Sequence, residues 1–191
     1  RSGRVDVPQL ASLKHSEVAR WLSEPGEIYS SGAFSPDAKW IAFSSTMGGG
    51  KNIWVKQTAS TQDHQSTNDS FRNDQPLWAP DQLEIAYFSL KEGKPGIWRM
   101  PQLGGPATRI KELSVGEGDV KLKSWSKNGA TLYYESKQTL FALDVKSGQI
   151  KPLTNPASAT IVQGTLSISP DEQTVAYAMA DSGRNHSLWV V

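Results

Sequence analysis

The sequence predicts an all-β fold, a β-propeller with four visible four-stranded blades, and two motifs repeating in phase predict it. A turn signature recurs as Ser35-Pro36-Asp37, Ala79-Pro80-Asp81 and Ser169-Pro170-Asp171, with a diverged copy at Ser126-Lys127-Asn128-Gly129. Successive copies start 44, 47 and 43 residues apart. A second landmark, an aliphatic residue followed by an aromatic one, keeps the same beat at Ile53-Trp54, Ile97-Trp98, Leu140-Phe141 and Leu188-Trp189. A period of roughly 40–45 residues suits four short antiparallel strands, which make one blade.

Each element of the unit has a chemical reason. An apolar stretch such as Gly32-Ala33-Phe34 ends at the Ser-Pro-Asp turn, where Pro presets φ and the Asp carboxylate accepts from nearby backbone N–H groups. In the third unit Asn128-Gly129 takes over, because both residues tolerate positive φ. The next strand carries an aliphatic-Ala-aromatic core (Ile41-Ala42-Phe43, Ile85-Ala86-Tyr87, Val175-Ala176-Tyr177), which the third unit replaces with Leu132-Tyr133-Tyr134. A loop follows, glycine-rich in the first two units, and then a strand bearing the Trp or Phe. A weaker fourth strand is expected at Ala107–Ile110 and Gln149–Leu153, after Gly104-Gly105-Pro106 and Ser147-Gly148. Innermost strands are expected near residues 30–35, 74–79, 120–125 and 163–168, within units of about 30–67, 68–113, 114–154 and 155–191.

Pro76-Leu77-Trp78-Ala79-Pro80-Asp81 and Ile97-Trp98-Arg99-Met100-Pro101 carry a specific resemblance. They are similar to the propeller repeat of the bacterial TolB family and its WD-repeat-like relatives, over about residues 30–191. The resemblance implies a rigid disc that binds other molecules; a protein or peptide partner is expected, and a periplasmic or other extracytoplasmic location, with the cytoplasm as the alternative. It implies no particular reaction. The same repeats serve as scaffolds, as extracytoplasmic parts of regulators and kinases, and as propellers attached to prolyl-oligopeptidase-type enzymes.

Residues 1–29 read either as a short amphipathic helix or as an edge strand at Glu17–Leu22, and the strand is favoured. Leu188-Trp189-Val190-Val191 aligns with the third strand of the second unit, so the fourth unit lacks its last strand. Glu17–Leu22 is therefore expected to pair outside Ser187–Val191 and close the ring, since an open ring leaves unpaired edges. The rival is a fragment of a larger propeller. With no initiator Met and no apolar signal core at Arg1-Ser2-Gly3-Arg4, the chain is expected to be processed or cut from something longer.

Composition narrows the function classes. The net charge is +1 across 191 residues, so nothing suggests nucleic-acid binding. There is no cysteine, which excludes disulfides and thiolate metal sites, and no apolar run reaches membrane-spanning length. No cofactor is expected. His15, His64 and His186 stand apart in polar surroundings and read as exposed loop residues rather than ligands or bases. No G-x-S-x-G elbow is present. Gly48-Gly49-Gly50-Lys51 lacks the Gly and Ser/Thr of a phosphate loop and reads as a hairpin. Asp37, Asp81 and Asp171 recur once per unit, as turn formers do and catalytic acids do not. Trp54, Trp98 and Trp189 take equivalent positions and are expected to pack blades, whereas Trp40 is expected to be exposed.

Loops leading into the innermost strands are therefore the expected binding face: Ser23–Tyr29, Asn68–Gln75, Ser114–Asp119 and Asn155–Gln163. The second is chemically richest, with Phe71, Arg72, Asn73 and Asp74 adjacent, and the third adds Glu117 and Asp119. The expectation is a non-catalytic binding or sensing propeller. The alternative is an accessory propeller of a larger enzyme or regulator whose active domain lies elsewhere.

Overall fold

Sixteen strands form among the described residues, and they fall into four four-stranded antiparallel sheets. The structure, a computed structural model, describes residues 29–60, 62–114, 120–137, 139–154, 160–161, 167–169, 171–180 and 186–190. Blade 1 comprises β1 (Tyr29–Phe34), β2 (Trp40–Ser45), β3 (Asn52–Gln57) and β4 (Asp63–Gln65), hydrogen-bonded in that order. Blade 2 repeats it with β5 (Asn73–Trp78), β6 (Glu84–Ser89), β7 (Gly96–Pro101) and β8 (Thr108–Glu112). Blade 3 repeats it again with β9 (Lys121–Trp125), β10 (Thr131–Ser136), β11 (Thr139–Asp144) and β12 (Ile150–Pro152). In blade 4, β13 (Thr160–Ile161) and β14 (Ser167–Ile168) pair with opposite ends of one edge of β15 (Val175–Ala180), and β16 (His186–Val190) pairs with its other edge. In blades 1 to 3 the innermost strands appear where the repeat places them, and in blade 4 β14 covers the described end of the expected 163–168 strand. Glu17–Leu22, and with it the expected closing strand, lies outside the described residues.

The turn signature folds the same way four times. In blade 1 the Ser35 N–H donates to the Trp40 carbonyl and the Ala38 N–H to the Ser35 carbonyl, both at 2.8 Å. Ser35 Oγ–H donates to Asp37 Oδ1 at 2.7 Å, and the same Oγ accepts the Trp40 N–H at 2.9 Å. Ser126 with Asn128, and Ser169 with Asp171, build the same bridge. In blade 2 Ala79 has no hydroxyl, and Asp81 keeps only the backbone bond from Leu83, at 3.0 Å. The following residue is left-handed in every blade: Ala38 (φ 59), Gln82 (φ 65), Gly129 (φ 74) and Glu172 (φ 60). In blades 2, 3 and 4 that residue meets the turn of the preceding blade. In the amide orientation that satisfies both its atoms, Gln82 donates to Asp37 Oδ1 at 2.8 Å; Gly129 lies against Pro80, and Glu172 accepts the Lys127 N–H.

Apolar seams join successive blades. Ala42 and Val55 of blade 1 pack on Trp78 and Ile85 of blade 2, and the Trp78 indole N–H donates to the Ala33 carbonyl at 3.0 Å. Ala86, Phe88 and Ile97 of blade 2 pack on Leu132, Tyr134 and Leu143 of blade 3. Ile53 of blade 1 joins Tyr87, Trp98 and Met100 of blade 2. With neighbours on both faces, β6 is buried along five consecutive residues, which is why its sequence reads as a continuous apolar run rather than an alternation. The outermost β12 is exposed throughout. Trp98 is 5% exposed, as expected of a packing residue, and Trp54 is half-buried. Trp40 departs from expectation. It is half-buried against the Ala42–Trp78 seam, where its ring extends the apolar contact between blades 1 and 2.

Candidate functional site

The segment leading into β5 is pinned by buried polar side chains. Thr67 Oγ1 accepts the Ile53 N–H and donates to Asn52 Oδ1, both at 2.8 Å. Asp69 Oδ1 accepts the Phe71 N–H at 3.1 Å and the Asn73 amide at 2.7 Å. Asn73 also donates to Asn52 Oδ1 at 3.2 Å and accepts from Ser89 Oγ–H at 2.7 Å. Asn73 is fully buried, so an amide with a partner on both its ends is what the position requires.

Asp74 follows and is 3% exposed. Its Oδ1 accepts from Ser44 Oγ–H at 2.7 Å and from the Gln75 N–H at 2.9 Å. Its Oδ2 meets Lys51 Nζ at 2.5 Å and Arg72 Nη2 at 3.0 Å. Burial alone raises the pKa of this carboxyl, but the bonds from Lys51, Ser44 and Arg72 outweigh it and hold the group below the ordinary carboxylate range. Lys51 ends the Gly48–Gly50 hairpin between β2 and β3, so that loop supplies a counter-ion to the next blade.

Of the four residues expected on the loop, two are therefore not loop residues. Asn73 and Asp74 open strand β5 and face the frame, because Asn52, Asp69, Ser44 and Lys51 stand ready to satisfy them. Phe71 is half-buried, and Arg72 is half exposed, its guanidinium 5.9 Å from the centre of the Phe88 ring. Glu117 and Asp119 lie outside the described residues, as do His15, residues 23–28 before β1 and the rest of 115–119 before β9.

What the inner strands enclose is a cleft of about 410 Å³, lined by Ser31, Gly32, Gln75, Pro76, Lys121 and Lys123 among others. Each of these three strands breaks its ladder at this level: the register skips Ser31 in β1, the Gln75-Pro76 pair in β5 and Lys123 in β9. Bulges re-aim side chains and turn backbone out of the sheet. Ser31 (φ 50) and Gln75 (φ 57) occupy the left-handed region at these sites. Gln75 also ties blade 2 to blade 3. Its amide donates to the Val120 carbonyl at 2.6 Å, and its Oε1 accepts the Leu122 N–H at 2.9 Å. Lys123 is paired with Glu135 at 2.7 Å inside the wall. The signal in the sequence was modest: a Gly and a Pro (Gly32, Pro76) inside strands that are otherwise regular.

No cluster of His, Asp or Glu that could hold a metal is present among the described residues, nor is any helix long and apolar enough to cross a membrane. His64 sits on β4 rather than in a loop. It is exposed, and its Nε2–H donates to the Leu103 carbonyl at 2.7 Å.

The TolB beta propeller domain model matches residues 2–191. The chain belongs to this family. Solved structures agree on the fold. TolB from Acinetobacter baumannii matches with a TM-score of 0.65 at 24% identity, over 84% of this chain and 40% of that one. The putative TolB from Agrobacterium tumefaciens matches at 0.63 and 19%, over 84% and 60%. A Mycobacterium tuberculosis puromycin-hydrolyzing peptidase matches at 0.63 and 15%, over 89% and 28%. The chain thus spans 60% or less of the length of each of these three proteins. Among curated proteins none matches it.

Proposed function

We propose that this TolB-type propeller is a non-catalytic binding module that takes a protein or peptide segment in the cleft between β1, β5 and β9. The observation that carries the reading is the triple bulge. Three adjacent inner strands leave their ladders at one level, and backbone turned out of a ladder is what an extended peptide pairs with. Arg72, held by Asp74 over Phe88, and Phe71 present a cation and an aromatic ring near the start of the same strand, and both groups recur in protein-recognition surfaces. Glu117 and Asp119, which precede β9 in the sequence, are proposed for the same face on their chemistry alone. The site so read needs no cofactor and no metal. The family resemblance supports an extracytoplasmic location.

A second reading has its own support. A puromycin hydrolase covers 89% of this chain with only 28% of its own length, so the same disc serves there as one part of a longer enzyme. On that reading this propeller is the accessory module of an enzyme or regulator.

The test is a plug. A side chain at Gly32 has room, since an added Cβ meets only the Ala42 carbonyl, at 3.9 Å. Peptides selected from a displayed library on the wild-type chain are expected to lose about tenfold or more in affinity on Gly32→Trp. They should bind unchanged on Leu103→Trp, which alters an exposed outer turn. Equal binding to both variants contradicts the reading.

A further inference from the structure

A second cleft, of about 320 Å³, opens between described residues of blades 3 and 4. One wall carries Thr131, Tyr133 and Lys151 of blade 3, the other Glu172 of blade 4, and Leu153 and Val175 supply apolar surface between them. Tyr133 replaces the alanine that the repeat places at Ala42, Ala86 and Ala176.

The Thr131 and Tyr133 hydroxyls and Lys151 Nζ have no side-chain partner among the described residues. Tyr133 stays a neutral donor, because burial and then the Glu172 charge both raise its pKa. Glu172 is fixed at the head of the Val175 strand by the Lys127 N–H on one carboxylate oxygen. It keeps a side chain at a left-handed position (φ 60) where blade 3 has Gly129.

The geometry points to a second binding site, between blades 3 and 4, for a small zwitterion of the aliphatic α-amino acid class. Lys151 and the Tyr133 hydroxyl receive its carboxylate, Glu172 receives its ammonium, and Leu153 with Val175 cover its side chain. The charges on the walls cancel, so a ligand carrying one charge of each sign is matched, whereas a purely anionic or cationic one leaves a partner unanswered. This site is separate from the central cleft and does not depend on what binds there.

L-Leucine titrated into the full chain by calorimetry is the direct probe. Saturable one-site binding is expected, weakened about tenfold or more by Lys151→Ala and by Glu172→Gly, each of which removes a charged hydrogen-bond partner. Glu172→Gly installs the residue blade 3 already uses there, so its melting temperature should hold. Independently of any variant, L-leucinamide and 4-methylpentanoate, each lacking one charge, should bind the wild-type chain about tenfold or more weaker. No saturation with leucine, leucinamide or 4-methylpentanoate binding as tightly as leucine, unchanged binding in the variants, or saturable binding of glucose instead would each overturn the assignment.

Discussion

Gly104 lies directly on Ser66: a Cβ added to Gly104 would stand 2.7 Å from the Ser66 carbonyl oxygen. The contact joins the turn between the third and fourth strands of blade 2 to the outer edge of blade 1. It recurs one blade on, where a Cβ on Gly148 would stand 2.9 Å from the Ile110 carbonyl. Both glycines are left-handed, at φ 85 and φ 70. The outer rim of the disc is thus locked by backbone approach that no other residue permits, and His64 and Ser66 add bonds to the Leu103 and Gln102 carbonyls beside it.

Gly104→Ala should therefore destabilise the chain by more than the ~1–2 kcal/mol of left-handed strain alone, since the blades must also separate to admit the methyl group. Gly49→Ala, also left-handed but with nothing within 4 Å, should show the strain without the clash. Urea unfolding of the two variants separates the terms.

Removing the hydroxyl of Ser126 should cost about 1–2 kcal/mol. It is 2% exposed and bridges the Thr131 N–H to Asn128, so Ser126→Ala strands a buried donor. Thermal melting checks this against Ala79, which natively lacks the hydroxyl in blade 2.

Asp74 and Arg72 should separate in their effects. Asp74→Asn leaves Lys51 and Arg72 without their counter-ion at a buried site, and about 2–4 kcal/mol of stability should go. Arg72→Ala, at a half-exposed position, should cost under about 1 kcal/mol. The pH dependence has a definite sign. The folded pKa of Asp74 lies below its unfolded value near 3.8, so its contribution is complete above that value and lost as pH falls through the folded pKa. The acid limb of the stability curve below about pH 4 should be shallower in Asp74→Asn.

Trp98→Ala should be among the costliest single changes, at about 3–5 kcal/mol. The ring is buried against Ile53, Tyr87 and Met100, and Lys91 and Arg109 lie 5.2 and 5.5 Å from its centre. A loss under about 1 kcal/mol would remove it from the core.

The sequence made the scaffold readable because each blade repeats one chemistry. Ser35, Ser126 and Ser169 all cap the same left-handed turn, so two phased motifs located the inner strands. The face was harder to read. Asn73 and Asp74 look like loop residues, since polar side chains are usually solvated. Their burial depends on Asn52, Ser44 and Lys51, which come from the preceding blade and become neighbours only in the fold. Trp40 looks exposed in the sequence for the same reason: its cover comes from blade 2. The central cleft owes its shape to three bulges, and only Gly32 and Pro76 hinted at two of them.

Amide chemical-shift mapping reads peptide binding in the central cleft residue by residue. With a selected peptide titrated into the isotope-labelled chain, shifts are expected at Ser31–Ala33, Gln75, Leu77 and Lys121–Lys123, with the outer strands β4, β8 and β12 unmoved. Shifts confined to the outer strands, or spread evenly over the disc, would contradict it.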